Sequence, residues 1–196
     1  AKSRPQMMAA VRYRYGTPDV MEVRAIDRPA VKENDILIRV HSASVNKGDW
    51  HLLTGKPYLV RAMGYGMFKP KNGVIGQDVA GTVEQVGSKV TEFKPGDHVF
   101  GEIGCSFAEY ASVTADKIAI KPENVSFEQA AATPCAALTA LQSIRDVAKV
   151  KEGQKVLVNG ASGGVGTFCV QIAKLYGAHV TAVCSGKNAD LVKELG

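Results

Sequence analysis

Val156–Gly166, VLVNGASGGVG, predicts a β-strand that turns through glycines directly into a helix. Its first three residues are apolar and rich in β-branched side chains, as expected of a buried parallel strand. Apolar residues then recur at three- and four-residue spacing from Val165 to Tyr176, which predicts an amphipathic helix, and Gly177 is placed to end it. A second strand is predicted over 179–183.

The glycine turn has the chemistry of a pyrophosphate site. Glycines let the backbone turn sharply and approach a ligand closely, and the free N–H groups and the dipole of a helix N-terminus attract an anion. The pattern is A-x-G-x-x-G, with Ala161 where the dinucleotide fingerprint more often has its first glycine. A ligand-free glycine turn is the alternative, but the strand that follows favours a nucleotide site. The predicted cofactor-binding residues of the turn are Ala161, Ser162, Gly163, Gly164, Val165 and Gly166.

The end of the second strand indicates which dinucleotide binds. An NAD site presents Asp or Glu about 20 residues after the glycine turn, to hold the ribose 2′-hydroxyl. Here Ser185, Lys187 and Asn188 follow the strand, and the first acid is Asp190. A hydroxyl, an ammonium and an amide suit a 2′-phosphate, which a carboxylate would repel. The sequence therefore predicts NADPH; the alternative is that Ser185 and Gly186 only form the turn into the next helix.

Composition and charge exclude several classes of protein. The 196 residues are 45% hydrophobic and 22% charged, as in ordinary soluble globular proteins. The net charge of +5 is concentrated in residues 1–18 and 50–77, which contain no acid. Neither stretch alternates basic and aromatic residues, so solvated surface or attraction of an anionic cofactor is favoured over nucleic-acid binding. No apolar run approaches 18 residues, and we therefore predict no membrane span.

The cysteines predict a reducing compartment. Cys105, Cys135, Cys169 and Cys184 are widely spaced, with neither a C-x-x-C motif nor a histidine at ligand spacing. Reduced thiols without a signal peptide predict a cytoplasmic protein.

Strand and helix patterns predict two domains of different class. Short strands separated by Gly/Pro turns are predicted at 8–13, 20–26, 35–44, 76–87, 98–102 and 107–113, with a short helical turn at 45–54 and an apolar, basic loop at 59–72. This spacing predicts a partly open β-barrel over 1–122. Residues 123–196 have an α/β pattern, opening with a capping box at Ser126 and a helix from Pro134 to about Val147. A complete dinucleotide-binding sheet has about six strands, so we expect a fragment of a longer chain.

Further motifs lie in order along the chain: Ile38–Asp49 (IRVHSASVNKGD), Gly76–Gly87 (GQDVAGTVEQVG), Phe93–Phe100 (FKPGDHVF), and Ala132–Ala140 (ATPCAALTA). With the glycine turn, they make the chain resemble the medium-chain dehydrogenase/reductase superfamily, specifically its zinc-independent quinone oxidoreductase (zeta-crystallin-like) branch. The resemblance implies a mixed β and α/β fold: a GroES-like β-barrel domain over 1–122, then a truncated Rossmann domain (a doubly wound parallel sheet) over 123–196. It also implies a cofactor in the cleft between them and a full-length homodimer.

The resemblance can be examined position by position for metal. Zinc-dependent members have a catalytic cysteine where this chain has Asn46, and a Gly-His-Glu run where it has Gly76-Gln77-Asp78. The four cysteines of their structural zinc lobe would follow Phe100, where this chain has only Cys105. We therefore predict no metal, which leaves His41, His51 and His98 as packing or surface residues.

The resemblance also implies site residues and a reaction. Asn46 and Thr139 would reach the nicotinamide ribose and phosphate region, although each side chain could instead cap a turn. Tyr65 would orient the carbonyl of a substrate. The implied activity is hydride transfer from NADPH to a quinone or other α,β-unsaturated carbonyl, a small-molecule substrate. The alternatives are an alcohol dehydrogenase-like activity, an enoyl-thioester reductase, and a non-catalytic NADPH-binding or structural protein.

Overall fold

A computed structural model describes residues 4–196, which form two compact units that divide between Pro134 and Cys135. Residues 1–3, which the first predicted domain includes, lie outside the described part. The sequence pattern changes at 122/123, yet the segment that follows belongs to the β-rich unit. The reason is tertiary: Ala130 and Ala131 are buried against Ala80 of the sheet.

Antiparallel strands dominate the first unit. The strands are β1 (Gln6–Val11), β2 (Glu22–Asp27), β3 (Asp35–Ser42), β4 (Asp78–Val86), β5 (His98–Glu102), β6 (Tyr110–Thr114) and β7 (Ile118–Ile120). Five of them form one sheet in the order β6-β3-β4-β5-β7, and β1 and β2 form a separate hairpin. Isolated bridges at Ala9–Ala108 and Val11–Val74 attach β1 to later segments. β7 was not predicted, because three residues are too few to show a period.

The core of this unit lies on one face of the five-stranded sheet. Ile36 and Ile38 of β3 are fully buried and pack with Val79, Val83 and Val99 from the neighbouring strands. This confirms the strand predicted over 35–44, in which residues two apart share a face. Leu37, on the opposite face, is also buried, so the start of β3 is covered on both sides.

Two helices and one irregular segment complete the first unit. Helix α1 spans Lys47–Thr54 and α2 spans Phe127–Ala131, the latter opening with the predicted capping box at Ser126. In the apolar, basic loop, Arg61–Tyr65 forms a single wide turn of π type that is broken at Gly64. Among residues 4–196, no helix is both long and apolar enough to cross a membrane.

The second unit contains a strand–turn–helix–strand element, as predicted. Helix α3 (Pro134–Leu141) continues as a π-type turn to Val147, and is followed by β8 (Lys155–Asn159), α4 (Gly164–Leu175), β9 (His179–Val183) and α5 (Ala189–Glu194). β8 and β9 are parallel neighbours. Val170 of α4 packs with Val158 of β8 and Val192 of α5. The chain turns at Gly177, whose φ is 74°.

Candidate functional site

The glycine turn between β8 and α4 is anchored to the end of β9. The backbone N–H groups of Gly160 and Ala161 both donate to the carbonyl of Val183, each at 3.0 Å, and Gly163 N–H donates to Gly160 at 2.9 Å. Ala161 is fully buried in the apolar cluster around Val158 and Val170 and does not have a positive φ. An alanine therefore fits where the fingerprint more often has glycine.

The last glycine of the motif is required by a close backbone approach. A Cβ on Gly166 would lie 2.2 Å from the carbonyl oxygen of Gly160 and 2.8 Å from the Cα of Ala161. The first turn of α4 therefore packs directly on the loop that precedes it. In the described residues no side chain caps this helix, since Gly163 occupies the N-cap. Unpaired backbone N–H groups at a helix N-terminus suit a pyrophosphate.

The segment that follows β9, residues 185–188 (the tip after β9), contacts the glycine turn. Asn188 Nδ2 donates to Ser162 Oγ at 3.0 Å, joining two predicted cofactor residues that are 26 positions apart. Ser185 begins the short 3-10 turn Gly186–Asn188 and accepts a backbone bond from Asn188 at 2.9 Å. Ser185 therefore takes part in the turn into the next helix. The side chains of Ser185 and Lys187 are exposed and free to meet a ligand.

Thr139 lies on α3, in the same unit as the glycine turn. Its hydroxyl donates to the carbonyl of Cys135 in its own helix at 2.6 Å, a local bond common for threonine. A Cβ on Gly164 would lie 4.0 Å from the Cβ of Ala136, so the first turn of α3 adjoins the glycine turn. Because residues three apart share a helix face, Thr139 lies on the face of α3 that Ala136 presents to that turn.

Asn46 lies in the first unit, at the N-cap position of α1. Its Nδ2 donates to Asp78 Oδ2 at 2.9 Å and to Ser44 Oγ at 3.0 Å, and Ser44 Oγ donates to the same Asp78 oxygen at 2.8 Å. Asp78 is fully buried. The amide of Asn46 is thus held by a buried carboxylate from the start of β4.

Asp49 is a second buried carboxylate beside this network, and sequence reasoning missed it. Its Oδ2 accepts the backbone N–H of Asn46 at 2.8 Å. Burial raises the pKa of Asp49, and the charge of Asp78 raises it further. The signal was present: Asn46 and Asp49 have the spacing of a capping box.

Asp49→Asn should weaken the pH dependence of stability. The folded pKa of Asp49 lies above its unfolded value, so the folded state binds the proton more tightly. The contribution of Asp49 to stability is therefore fully present below the unfolded pKa and is lost as pH rises through the window between the two pKa values. An asparagine keeps the acceptor for Asn46 N–H but cannot ionise. We expect a shallower decline and, near neutral pH, a variant at least as stable as the parent.

Urea unfolding between about pH 4 and pH 8 measures how the free energy of unfolding of each variant depends on pH. Asp97→Asn is the matched control, because Asp97 also accepts a backbone N–H, from Lys94 at 2.9 Å, but is only partly buried. If the free energy of unfolding of Asp49→Asn declines with pH as steeply as that of the parent, or more steeply, Asp49 does not have a raised pKa in the folded state.

The histidines of the first unit make packing and hydrogen-bond contacts. His41 stacks on Phe127 with ring centroids 4.3 Å apart, and His98 contacts the same ring edge-on at 5.0 Å. His51 Nδ1 lies 2.7 Å from the carbonyl of Lys56. Within residues 4–196 no three or more His, Cys, Asp or Glu side chains are grouped so as to hold a metal ion.

Tyr65 lines a cavity of about 230 Å³ in the first unit, together with Arg12 and Lys71. Tyr15 fixes the segment that carries it, donating its hydroxyl to the carbonyls of Tyr65 at 3.0 Å and Gly66 at 2.7 Å. Tyr65 is 46% exposed, so that part of this residue is accessible to a small molecule.

Comparison with known proteins agrees with this architecture. Residues 32–123 match the alcohol dehydrogenase GroES-like domain. The chain is 37% identical to a chloroplastic quinone-oxidoreductase homologue of Spinacia oleracea, over 97% of this chain and 60% of that protein. A quinone oxidoreductase from Coxiella burnetii superposes with a TM-score of 0.86 at 33% identity, over 98% of this chain and 61% of that one. CurK enoyl reductase gives a TM-score of 0.91 at 27% identity, over 98% and 58%.

The chain thus spans about three fifths of the length of the spinach relative. Its two units correspond to a GroES-like domain and to part of a Rossmann domain. The matching domain, the identity to quinone oxidoreductases and the shared fold identify the chain as a relative of the zeta-crystallin-like quinone oxidoreductases of the medium-chain dehydrogenase/reductase superfamily.

Proposed function

We propose that the full-length protein is an NADPH-dependent reductase that transfers a hydride to a quinone or another α,β-unsaturated carbonyl. The observation that carries the proposal is the bond between Ser162 and Asn188, which places a tip without carboxylates against the glycine turn. The family supplies the class of reaction, since relatives in it are named quinone oxidoreductases.

The choice of NADPH over NADH rests on charge. Ser185, Lys187 and Asn188 offer donors to a 2′-phosphate, and Lys187 offers a positive charge. The first carboxylate, Asp190, lies on α5 with its side chain exposed, 4.0 Å from the ammonium of Lys193. A ribose 2′-hydroxyl would find no carboxylate acceptor at the end of β9, where an NAD site provides one.

Each part of the site has a distinct task in this proposal. The glycine turn and the N-terminus of α4 hold the pyrophosphate, and Thr139 and Asn46 orient the nicotinamide ribose region. NADPH, when bound, supplies the hydride. Charge then develops on the carbonyl oxygen of the acceptor, where a hydroxyl donor such as that of Tyr65 stabilises it.

The proposal includes zinc independence, which rests on the type of donors present. Zinc in proteins is held by thiolate, imidazole and carboxylate groups. Asn46 and Gln77 are amides at positions where zinc-dependent members have a cysteine and a histidine. The amide of Asn46 donates to Asp78, so the neighbouring carboxylate already has a role in positioning that amide.

The acceptor is tested with the full-length protein by following NADPH oxidation at 340 nm. We expect turnover with 1,4-benzoquinone and with a simple enone, and none with saturated aldehydes. Faster turnover with an enoyl thioester would favour the enoyl-reductase alternative, to which the similarity to CurK points. Turnover of saturated aldehydes alone would indicate an alcohol dehydrogenase-like enzyme. If NADPH binds but none of the acceptors accelerates its oxidation, the protein is a non-catalytic NADPH-binding protein.

We further propose that the full-length protein is a homodimer, as the resemblance implies. We also propose that it is cytoplasmic, because its cysteines are free thiols. The spinach relative is named chloroplastic, and the compartment of this protein therefore needs a test of its own. Sedimentation equilibrium and fractionation of the source cells test these two statements.

A further inference from the structure

The cavity beside Tyr65 has walls of positive charge and apolar surface. It lies entirely within the first unit, between the end of β1, the last turn of α1 and residues 63–75. Its polar lining consists of Arg12, Tyr65, Lys71 and Asn72, and none of its lining residues is acidic. Leu52 contributes to the apolar part of the wall.

Arg12 is the unusual member of this lining. Its side chain is only 3% exposed, and its Nε is buried without a partner. Its Nη1 donates to the carbonyls of Leu52 at 2.5 Å and Leu53 at 3.2 Å, in the last turn of α1. These carbonyls carry part of the negative end of the helix dipole, equivalent to roughly half a charge. None of the ion pairs formed within residues 4–196 includes Arg12.

A buried guanidinium that lacks a carboxylate is costly, because it loses hydration without full compensation. Burial accordingly lowers the pKa of Arg12. At the end of α1, Nη1 has backbone carbonyls as acceptors, whereas Nε has no acceptor. An anion in the cavity that Arg12 lines would compensate the charge of the guanidinium.

The walls of the cavity are fixed by backbone bonds. Arg12 N–H donates to Gly73 at 2.9 Å, and Lys71 N–H donates to Tyr65 at 3.0 Å. Lys71 is exposed, and it lies in the stretch 50–77, which contains no acid. Lys71, a second cationic residue, thus lines the same cavity as Arg12.

We infer that this cavity, which shares Tyr65 with the proposed acceptor site, binds a small organic carboxylate, which pairs with Arg12 and Lys71 while its apolar part lies against Leu52 and Met63. The planar fork of a guanidinium matches the geometry of a carboxylate. The apolar wall favours an organic acid over inorganic phosphate. At about 30 Å³ for each water-sized group, 230 Å³ accommodates a ligand of roughly eight such groups.

Hexanoate has this size, and hexanamide is its neutral counterpart. The two are titrated into the ¹⁵N-labelled protein without NADPH, so that the outcome is independent of the proposed reductase activity. The readouts are the Nε–Hε resonance of Arg12 and the backbone amide of Lys71. We expect saturable shifts with hexanoate and binding at least tenfold weaker with hexanamide.

Two exposed lysines of the same loop provide matched variants. Lys71→Gln should weaken hexanoate binding about three- to fivefold, as expected for one exposed ion pair. Lys69→Gln removes the same charge from a residue that does not line the cavity, and should leave binding unchanged. The inference is overturned if hexanoate produces no saturable shift, if hexanamide binds equally well, or if both variants weaken binding alike. Arg12 would then serve only as the cap of α1.

Discussion

Lys187→Glu is expected to lower the affinity for NADPH roughly 10- to 100-fold while leaving the affinity for NADH unchanged or improved. A hydrogen bond to a charged group contributes about 1.5–3 kcal/mol, and each 1.4 kcal/mol corresponds to a factor of ten. The substitution removes one such bond to the 2′-phosphate and introduces repulsion. For NADH the new carboxylate can accept the ribose 2′-hydroxyl, as in NAD sites.

Because Lys187 is exposed, its replacement should not disturb the fold. Lys155→Glu is the matched control: it makes the same charge change at the opposite end of β8, away from the glycine turn. Quenching of protein fluorescence by each cofactor gives the affinities. Equal loss of NADPH affinity in both variants would show that overall charge, and not the tip after β9, determines the preference.

Gly166→Ala is expected to lower the free energy of unfolding by about 1–3 kcal/mol, the usual cost of overpacking. The new Cβ would lie 2.2 Å from the carbonyl oxygen of Gly160. Backbone cannot move aside as a flexible side chain does, so the turn must open. Because the same turn forms the pyrophosphate site, cofactor binding should fall as well.

Gly164→Ala separates the effect on stability from the effect on cofactor binding. A Cβ there meets only the Cβ of Ala136, at 4.0 Å, so stability should be retained. Its effect on cofactor binding then reports how closely a pyrophosphate approaches the turn. Thermal and urea unfolding of the two variants test the claim; equal stability of Gly166→Ala and the parent would contradict it.

The features that the sequence predicts well are local ones. The glycine turn, the capping box at Ser126 and the stop at Gly177 each depend on a few adjacent residues, and each is where it was predicted. The strand predicted over 35–44 is likewise present as β3, with Ile36 and Ile38 on a buried face.

The features that it does not predict depend on contacts between distant residues. Ser162 and Asn188 were proposed separately, and nothing in their spacing shows that they bond. Asp78 holds Asn46 from 32 residues away, so its part in positioning that amide could not be inferred from α1 alone. The end of the first unit falls after α2 because Ala130 and Ala131 pack on the sheet, whereas composition changes earlier.

The most direct test of the central claim is a fluorescence titration of the unmodified chain with NADPH and with NADH. If the glycine turn and the tip from Ser185 to Asn188 form a site for a 2′-phosphorylated dinucleotide, NADPH will bind at least tenfold more tightly, and added salt will weaken its binding more than that of NADH. Binding of NADH as tight as that of NADPH, or tighter, would contradict the account.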